Sequence, residues 1–350
     1  MQKKLRRRAG KFVAVFLVIL LVGGAAAFIE RKAIATWIDS ALNPDYAGSG
    51  TGSVSIVIKP GDTGESVAKA LVAAGVVKDF KTIFAAILKT NPMFYPGTFE
   101  LNKSMNSLEA LKMLQNPDAH VYKKVTIKEG LRISNVLSVL HRDVGIDQSA
   151  LESAAKDFTS IGVPSSEVSA EGWLFPATYN FDPASDAKTV LATMVERAKQ
   201  ELTSQGVAKK DWHKVLVLAS IIQKEARQTP DFYKVSRVFQ NRIKEGILLQ
   251  SDATVSYGSG GTTVTTTDAE RAATNGYNTY VKPGLPVGAI SGPGALAIEA
   301  ALKPAKGDWL YFCAVNLKTG ETVFSSTQAQ HEVAVSQFRK WMRENPGWNG

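Results

Sequence analysis

Residues 211–227 read DWHKVLVLASIIQKEAR. From Val215 to Ala219 every residue is apolar, so a helix here is buried on most of its circumference. After Ser220 the apolar pattern narrows. At 100° per residue, Leu218, Ile221, Ile222 and Glu225 share one face, while Gln223 and Lys224 point elsewhere. Glu225 therefore stands where the core-facing stripe should continue. A carboxyl in a partly apolar setting loses hydration of its charged form, which raises its pKa. The last turn of a helix adds the negative end of the backbone dipole, acting in the same direction. A carboxylic acid still protonated near neutral pH suits the breaking of a glycosidic bond, where the leaving oxygen must receive a proton. The plain alternative is a glutamate that closes the stripe and pairs with Lys224, Arg227 or Arg237. Pattern alone favours that alternative.

Around this helix the chain mixes helices and short strands. Spacing predicts helices at 148–157, 185–204, 231–245, 294–302 and 328–344. A strand at 309–315, a Lys318-Thr319-Gly320 turn and a strand at 321–325 predict a hairpin. The stretch from Ser251 to Gly294 is rich in Gly, Thr, Asn and Pro, and a loop-rich run of that length is more often a binding surface than a spacer. Toward the N-terminus, Val54–Ile58 is β-rich, Lys59-Pro60-Gly61-Asp62 is a turn, and helices follow at 66–74 and 80–89. Tyr95–Leu101 reads as a turn into a second strand. This β-α-α-β order resembles the LysM fold, a small module often used to hold glycan. Ile58, Gly61, Val67 and Leu71 recur at an offset of 69 residues as Ile127, Gly130, Val136 and Leu140, which predicts another strand at 121–128 and a helix near 133–142.

The net charge of +9 is concentrated at the start, where Lys3, Lys4, Arg6, Arg7, Arg8 and Lys11 carry no acid among them. The body is therefore only mildly basic and shows no nucleic-acid-binding motif, which argues against a nucleic-acid partner. The basic tail leads into the eighteen uncharged residues 12–29 (FVAVFLVILLVGGAAAFI). At about 1.5 Å per residue they reach about 27 Å, enough for a bilayer core of about 30 Å. The basic cluster before the span and the absence of such a cluster after it place the N-terminus in the cytoplasm. A cleavable signal peptide is the competing reading, with Ala25-Ala26-Ala27 as the cleavage site. On either reading the body lies outside the cytoplasm. The single cysteine, Cys313, forms no intramolecular disulfide, and His120, His141, His213 and His331 lack metal-ligand spacing. Neither a metal nor an organic cofactor is expected.

More of the chain falls into ordered motifs. Ala219-Ser220-Ile221-Ile222-Gln223-Lys224-Glu225-Ala226 resembles the catalytic helix of the MltG (YceG-like) endolytic murein transglycosylase family. Val238-Phe239-Gln240-Asn241-Arg242 is similar to that family's V-F-x-N-R helix, and Leu249–Gly258 (LQSDATVSYG) to its L-Q-(S/T)-D-x-T-x-x-Y-G loop. Tyr277-Asn278-Thr279-Tyr280, Gly284–Ile290 (GLPVGAI) and Glu171–Tyr179 (EGWLFPATY) match three further segments in order. The family often carries Glu at the position of Gln223. An amide cannot donate and retrieve a proton, so Glu225 is the candidate that remains. Ala177 stands where an acidic residue is common.

The resemblance implies an α+β fold in which a transmembrane helix at 12–29 follows a cytoplasmic tail at 1–11. A linker at 30–52, a LysM-like module at 53–119 and a mixed α/β catalytic domain at 120–345 would follow. It implies an enzyme of the bacterial cytoplasmic membrane, single-pass, whose catalytic domain cuts peptidoglycan glycan strands on the outer side. Peptidoglycan synthases are the implied protein partners. Glu225 would be the catalytic acid and base, with Gln250, Asp252, Thr254, Tyr257, Asn278 and Tyr280 binding substrate. Tyr257, Tyr280 and Trp173 offer faces for sugar stacking. Arg237 and Arg242 are candidates for peptide carboxylates, against the plainer reading of solvated helix faces. Two other functions stay open. One is a muramidase using Glu225 and Asp252 with water; the other is a non-catalytic wall-binding scaffold.

Overall fold

The computed structural model describes residue 31 and residues 44–261 and 266–348. The expected tail at 1–11 and span at 12–29 lie outside the described residues, as does most of the linker. Among the described residues no helix is long and apolar enough to cross a membrane. The chain forms two compact units, Met1–Val121 and Tyr122–Gly350.

In the first unit, strand β1 (Thr51–Ile58) leads to helices α1 (Gly64–Ala73) and α2 (Phe80–Thr90), strand β2 (Gly97–Lys103) and helix α3 (Ser107–Leu114). β1 and β2 pair antiparallel, with Ile56 opposite Phe99 and Ile58 opposite Gly97. Alternate strand residues face inward, so Ile56, Ile58, Phe99 and Leu101 pack against Val67, Leu71, Ile83 and Ile87 of the helices. The Thr63 and Asp79 side chains cap α1 and α2 by accepting from the backbone N–H of Ser66 and Thr82. α3 has no counterpart in the sequence expectations.

The second unit runs β3 (Lys123–Thr126), α4 (Ile133–Val144), α5 (Gln148–Lys156), β4 (Thr178–Phe181), α6 (Ala187–Ser204), α7 (Trp212–Glu225) and α8 (Thr229–Lys244). After these come α9 (Asp252–Gly258), α10 (Asp268–Ala272), α11 (Ala295–Leu302), β5 (Tyr311–Asn316), β6 (Glu321–Ser325) and α12 (Gln328–Glu344). α7 is the central helix. Nine of its residues, Trp212 and Val215–Ile222, are buried, with α8 and α11 packed against it. The hairpin β5–β6 carries α12 across it, and Asn316 Oδ1 shapes its turn by accepting from the N–H of Lys318 and Thr319.

The recurrence at an offset of 69 residues has a structural meaning. β3-α4-α5-β4 repeats the order of β1-α1-α2-β2, and its two strands also pair antiparallel. Ile58 and Ile127 are both buried at the strand ends, and Gly61 and Gly130 both take positive φ. β4 itself escapes sequence reading. It is four residues long and finds its partner over fifty residues upstream. The loop-rich stretch from Ser251 also holds two short helices, α9 and α10.

Between α5 and β4 the chain makes a long excursion that brings Gly172 against Ala289. Gly172 has φ +83°, and a Cβ there would meet the Ala289 Cβ at 2.5 Å. Left-handed backbone costs a residue with a Cβ about 1–2 kcal/mol, and the collision adds to it. Gly172→Ala is therefore expected to destabilise the second unit by more than about 1 kcal/mol, read from the urea midpoint.

Candidate active site

Helix α7 is fixed to the segment that follows the Gly284–Ile290 loop. The Ser220 hydroxyl accepts from the backbone N–H of Ile290 (3.1 Å), and Ser291 Oγ donates to the Ser220 carbonyl (3.2 Å). One turn on, Gln223 Oε1 accepts from the N–H of Gly294 (2.9 Å) at the start of α11. Gln223 thus serves a helix end, a role an amide fills without charge. Glu225 is the last residue of α7, and the backbone turns extended at Ala226.

The Glu225 carboxyl lines a cavity of about 350 Å³. Ser251 Oγ donates to its Oε1 at 2.5 Å. Burial pushes the Glu225 pKa up; the Ser251 hydrogen bond pulls against this, and the nearby negative charge of Asp252 adds to it. The expected direction of the shift is present, and its main cause is loss of hydration.

The loop that faces Glu225 is held by its own side chains. Arg242 on α8 is buried and donates from Nη1 to the carbonyls of Leu248 (2.9 Å) and Leu249 (3.0 Å) and to Gln250 Oε1 (3.1 Å). Its Nε donates to the carbonyl of Leu310 at 2.6 Å. Within this clamp Gln250 has φ +53°, a conformation that non-glycine residues adopt rarely and mostly where surrounding structure enforces it. Its N–H donates to the Thr279 carbonyl, and the N–H of Ser251 donates to Thr279 Oγ1. The hydroxyl that meets Glu225 is thereby aimed from both sides. Asp252 follows, and its Oδ1 accepts from Tyr280 (3.0 Å) and Thr266 (2.5 Å).

Glu225, Gln250, Asp252 and Tyr280 line one cavity together with Ser251, Arg242, Tyr311 and His331. Three other residues expected to bind substrate do different work. Thr254 is fully buried, its hydroxyl bonded to the Ser251 carbonyl and to Thr279. Asn278 is fully buried too. Its amide donates to the carbonyls of Glu270, Arg271 and Ala273, and its Oδ1 accepts from the N–H of Tyr280. Both shape the wall without reaching the cavity. Tyr257 lies a turn and a half along α9 from Asp252 and donates to Glu171 (3.2 Å) instead. Trp173, expected to offer a stacking face, is a core residue packed edge-on against Trp212. Arg242 is no solvated surface residue, and Arg237 donates to the Ala305 carbonyl.

Glu171 forms a second cluster that sequence reading did not single out for chemistry. It is 4% exposed, and its two oxygens accept from the N–H of Ile133 at the start of α4. The Arg132 guanidinium lies over the Tyr257 ring. Burial pushes Glu171 up to about 7 against these partners. Its folded pKa exceeds its unfolded one, so its stabilising contribution is complete below the ordinary carboxyl range and is lost as pH rises through about 7. At 1.36 kcal/mol per pH unit, the loss amounts to about 3 kcal/mol. Denaturant titrations at pH 4 and pH 8 should show wild type losing on the order of 3 kcal/mol relative to Glu171→Gln, which does not titrate.

Sequence comparison places these residues in a wider setting. The chain matches the YceG-like family over residues 56–337. It is 29% identical over 343 residues to a Bacillus subtilis (strain 168) protein named endolytic murein transglycosylase, with 91% of each chain covered. It is 26% identical over 362 residues to a protein of the same name from Streptococcus pneumoniae (strain D39 / NCTC 7466), covering 93% of this chain and 65% of that one. A crystal structure of a YceG-like protein from Listeria monocytogenes superposes with a TM-score of 0.53 at 28% identity, covering 81% of this chain and 99% of that one.

Proposed function

The chain belongs to the YceG-like family, and from that premise we propose that Glu225 is the catalytic acid and base of a reaction on peptidoglycan. The enzyme is a lytic transglycosylase that cleaves glycan strands, as the names of its relatives state of them. The observation that carries Glu225 is its burial-raised carboxyl, open to a cavity and hydrogen-bonded by Ser251.

The chemistry follows from one carboxyl. Protonated Glu225 gives its proton to the oxygen linking N-acetylmuramic acid to N-acetylglucosamine as the C1–O bond breaks. The muramic C1 becomes cationic, and Asp252, on the same cavity wall, supplies negative charge toward it. The Glu225 carboxylate then takes the proton of the muramic 6-hydroxyl while that oxygen bonds to C1. The product is a 1,6-anhydro end; no water is consumed and Glu225 is protonated again. Gln250 and Tyr280 line the same cavity and are placed to hydrogen-bond sugar hydroxyl and acetamido groups. A hydrolase would instead use Asp252 as its second carboxylate, a reading favoured by that residue's place on the cavity wall.

We assign the finer features by family resemblance. The strands cut are nascent ones, cleaved at internal bonds, and the partners are peptidoglycan synthases. Residues 12–29 anchor the chain in the cytoplasmic membrane with the N-terminus inside. Residues 53–119 form a LysM-like module, a reading supported by the antiparallel β1-α1-α2-β2 arrangement.

With purified glycan strands, Glu225→Gln should lower the release of anhydro ends by about 10²–10⁴-fold. Unchanged release would sink the assignment and leave the scaffold reading. Product mass decides between the two cleavage chemistries, because an anhydro end is one water lighter than a hydrolytic end. Ser251→Ala removes a bond that lowers the Glu225 pKa, so the high-pH limb of kcat/KM should move to higher pH. An unmoved limb would mean that Glu225 is not the titrating acid.

A further inference from the structure

Helix α9 begins without the hydrogen bond that its first position is suited to make. Ser251 is its N-cap, but among the described residues the Ser251 side chain accepts nothing from the first turn and gives its hydroxyl to Glu225 instead. A serine at an N-cap commonly accepts from an N–H of the first turn, so α9 starts one bond short. It is also only seven residues long, too short to keep its shape without tertiary contacts. The direction of the Ser251 hydroxyl, and of Asp252 after it, therefore depends on what holds the rest of the helix.

At the far end of α9 several side chains converge. Tyr257, in the last turn, donates to Glu171 Oε2 at 3.2 Å, and its ring meets Tyr277 with centroids 4.7 Å apart. The Arg132 guanidinium lies 5.1 Å from the centre of the same ring and donates to Ser256 Oγ at 3.4 Å. Gly258 follows so close to Asn275 that a Cβ would stand 2.5 Å from its Oδ1. Glu171 is itself fixed to the start of α4, where both its oxygens accept from the N–H of Ile133. An apolar residue at 171 could pack against Tyr257 without the loss of hydration that a buried carboxyl suffers. A carboxyl that accepts from both Ile133 and Tyr257 fixes direction as well as contact.

We propose that Glu171 and Tyr257 are positioning residues for the cleavage step: they tie the far end of α9 to α4, and α9 carries that hold to Ser251 and Asp252 beside Glu225. The proposal rests on Glu225 as the catalytic acid. The ionisable groups around Glu225 are Asp252, Lys224, Arg242, Tyr280, Tyr311 and His331. Those facing Glu171 are Arg132, Tyr257 and Tyr277. The two sets share no member, so Glu171 reaches Glu225 through the helix and not through its own charge.

Tyr257→Phe in the full-length chain is the informative change, because it keeps the ring on Tyr277 and deletes only the hydroxyl. On glycan strands it should lower kcat by up to about tenfold, the scale of one hydrogen bond, and leave KM as it is. The high-pH limb of kcat/KM should move to higher pH, as in Ser251→Ala, and in a Ser251→Ala background Tyr257→Phe should move it no further. Glu171→Ala should act in the same direction. Glu171→Gln, whose amide still accepts from Ile133 and donates to Tyr257, should recover most of that loss. Amide exchange reads the hold without any activity. Tyr257→Phe should speed exchange at Thr254 and Val255, whose N–H groups bond to the Ser251 carbonyl, by up to about tenfold, and leave Leu218 and Ile222 of α7 unchanged. A raised KM with kcat unchanged would make Tyr257 a substrate contact, and an unmoved limb with unchanged exchange would leave Glu171 a strut of the core. Either result overturns the proposal, as would equal losses in Glu171→Gln and Glu171→Ala. Glu225→Gln, assayed in parallel, tests the catalytic reading by itself, and the exchange result decides the hold on α9 whichever way that falls.

Discussion

An ionisable group at the end of a helix buried on nearly all sides must be held by protein in place of water, and α7 presents that problem at Glu225. Val215–Ile222 supply an almost unbroken apolar surface, with Ser220 tied into the 290–291 backbone. The carboxyl at its end would be expensive to keep charged. The fold brings Ser251 to it as a donor and leaves one side open to the cavity. Loss of hydration outweighs the hydrogen bonds from Ser251 and the Ala253 backbone, which is why the pKa rises. A proton held that way is available to a leaving group.

The loop that delivers Ser251 is not a regular element, so its backbone groups need other partners. Arg242 takes the carbonyls of Leu248 and Leu249, Thr279 takes both N–H groups around Ser251, and Asn278 gathers three carbonyls near α10. Buried polar side chains here replace the ladder that a strand would provide. The positive φ of Gln250 is sustained by the same clamp. Rigidity of this kind holds a short hydrogen bond to Glu225 without secondary structure around it. Functional loops on a packed scaffold commonly combine these traits.

Much of this was legible before any coordinates. Helical periodicity placed α7, α6, α8 and α12 within a few residues of their observed ends, because each buries one face against a core. The motif order picked out Gln250, Asp252 and Tyr280, which line the cavity, but equally Thr254, Asn278 and Tyr257, which do not. Polar residues in a loop look alike in sequence whether they face solvent, substrate or backbone. Thr254 and Asn278 are buried because the loop folds over them. Of the two readings of Arg242, the solvated helix face fails, because the 248–250 loop folds over that side of α8.

The sequence by itself determined the local order: which segments are helices, where the chain turns, and that Glu225 continues a core-facing stripe. Those features follow from interactions within about a turn or two of backbone, so periodicity and turn chemistry carry them. It also carried the ordered motifs by which the family is recognised. Tertiary structure decided what Glu225 meets. The Ser251 hydroxyl, the Asp252 charge and the Arg242 clamp come from elements separated by 17–27 residues of chain. Their effect on the carboxyl acts through distance and lost hydration, which no spacing along one helix encodes.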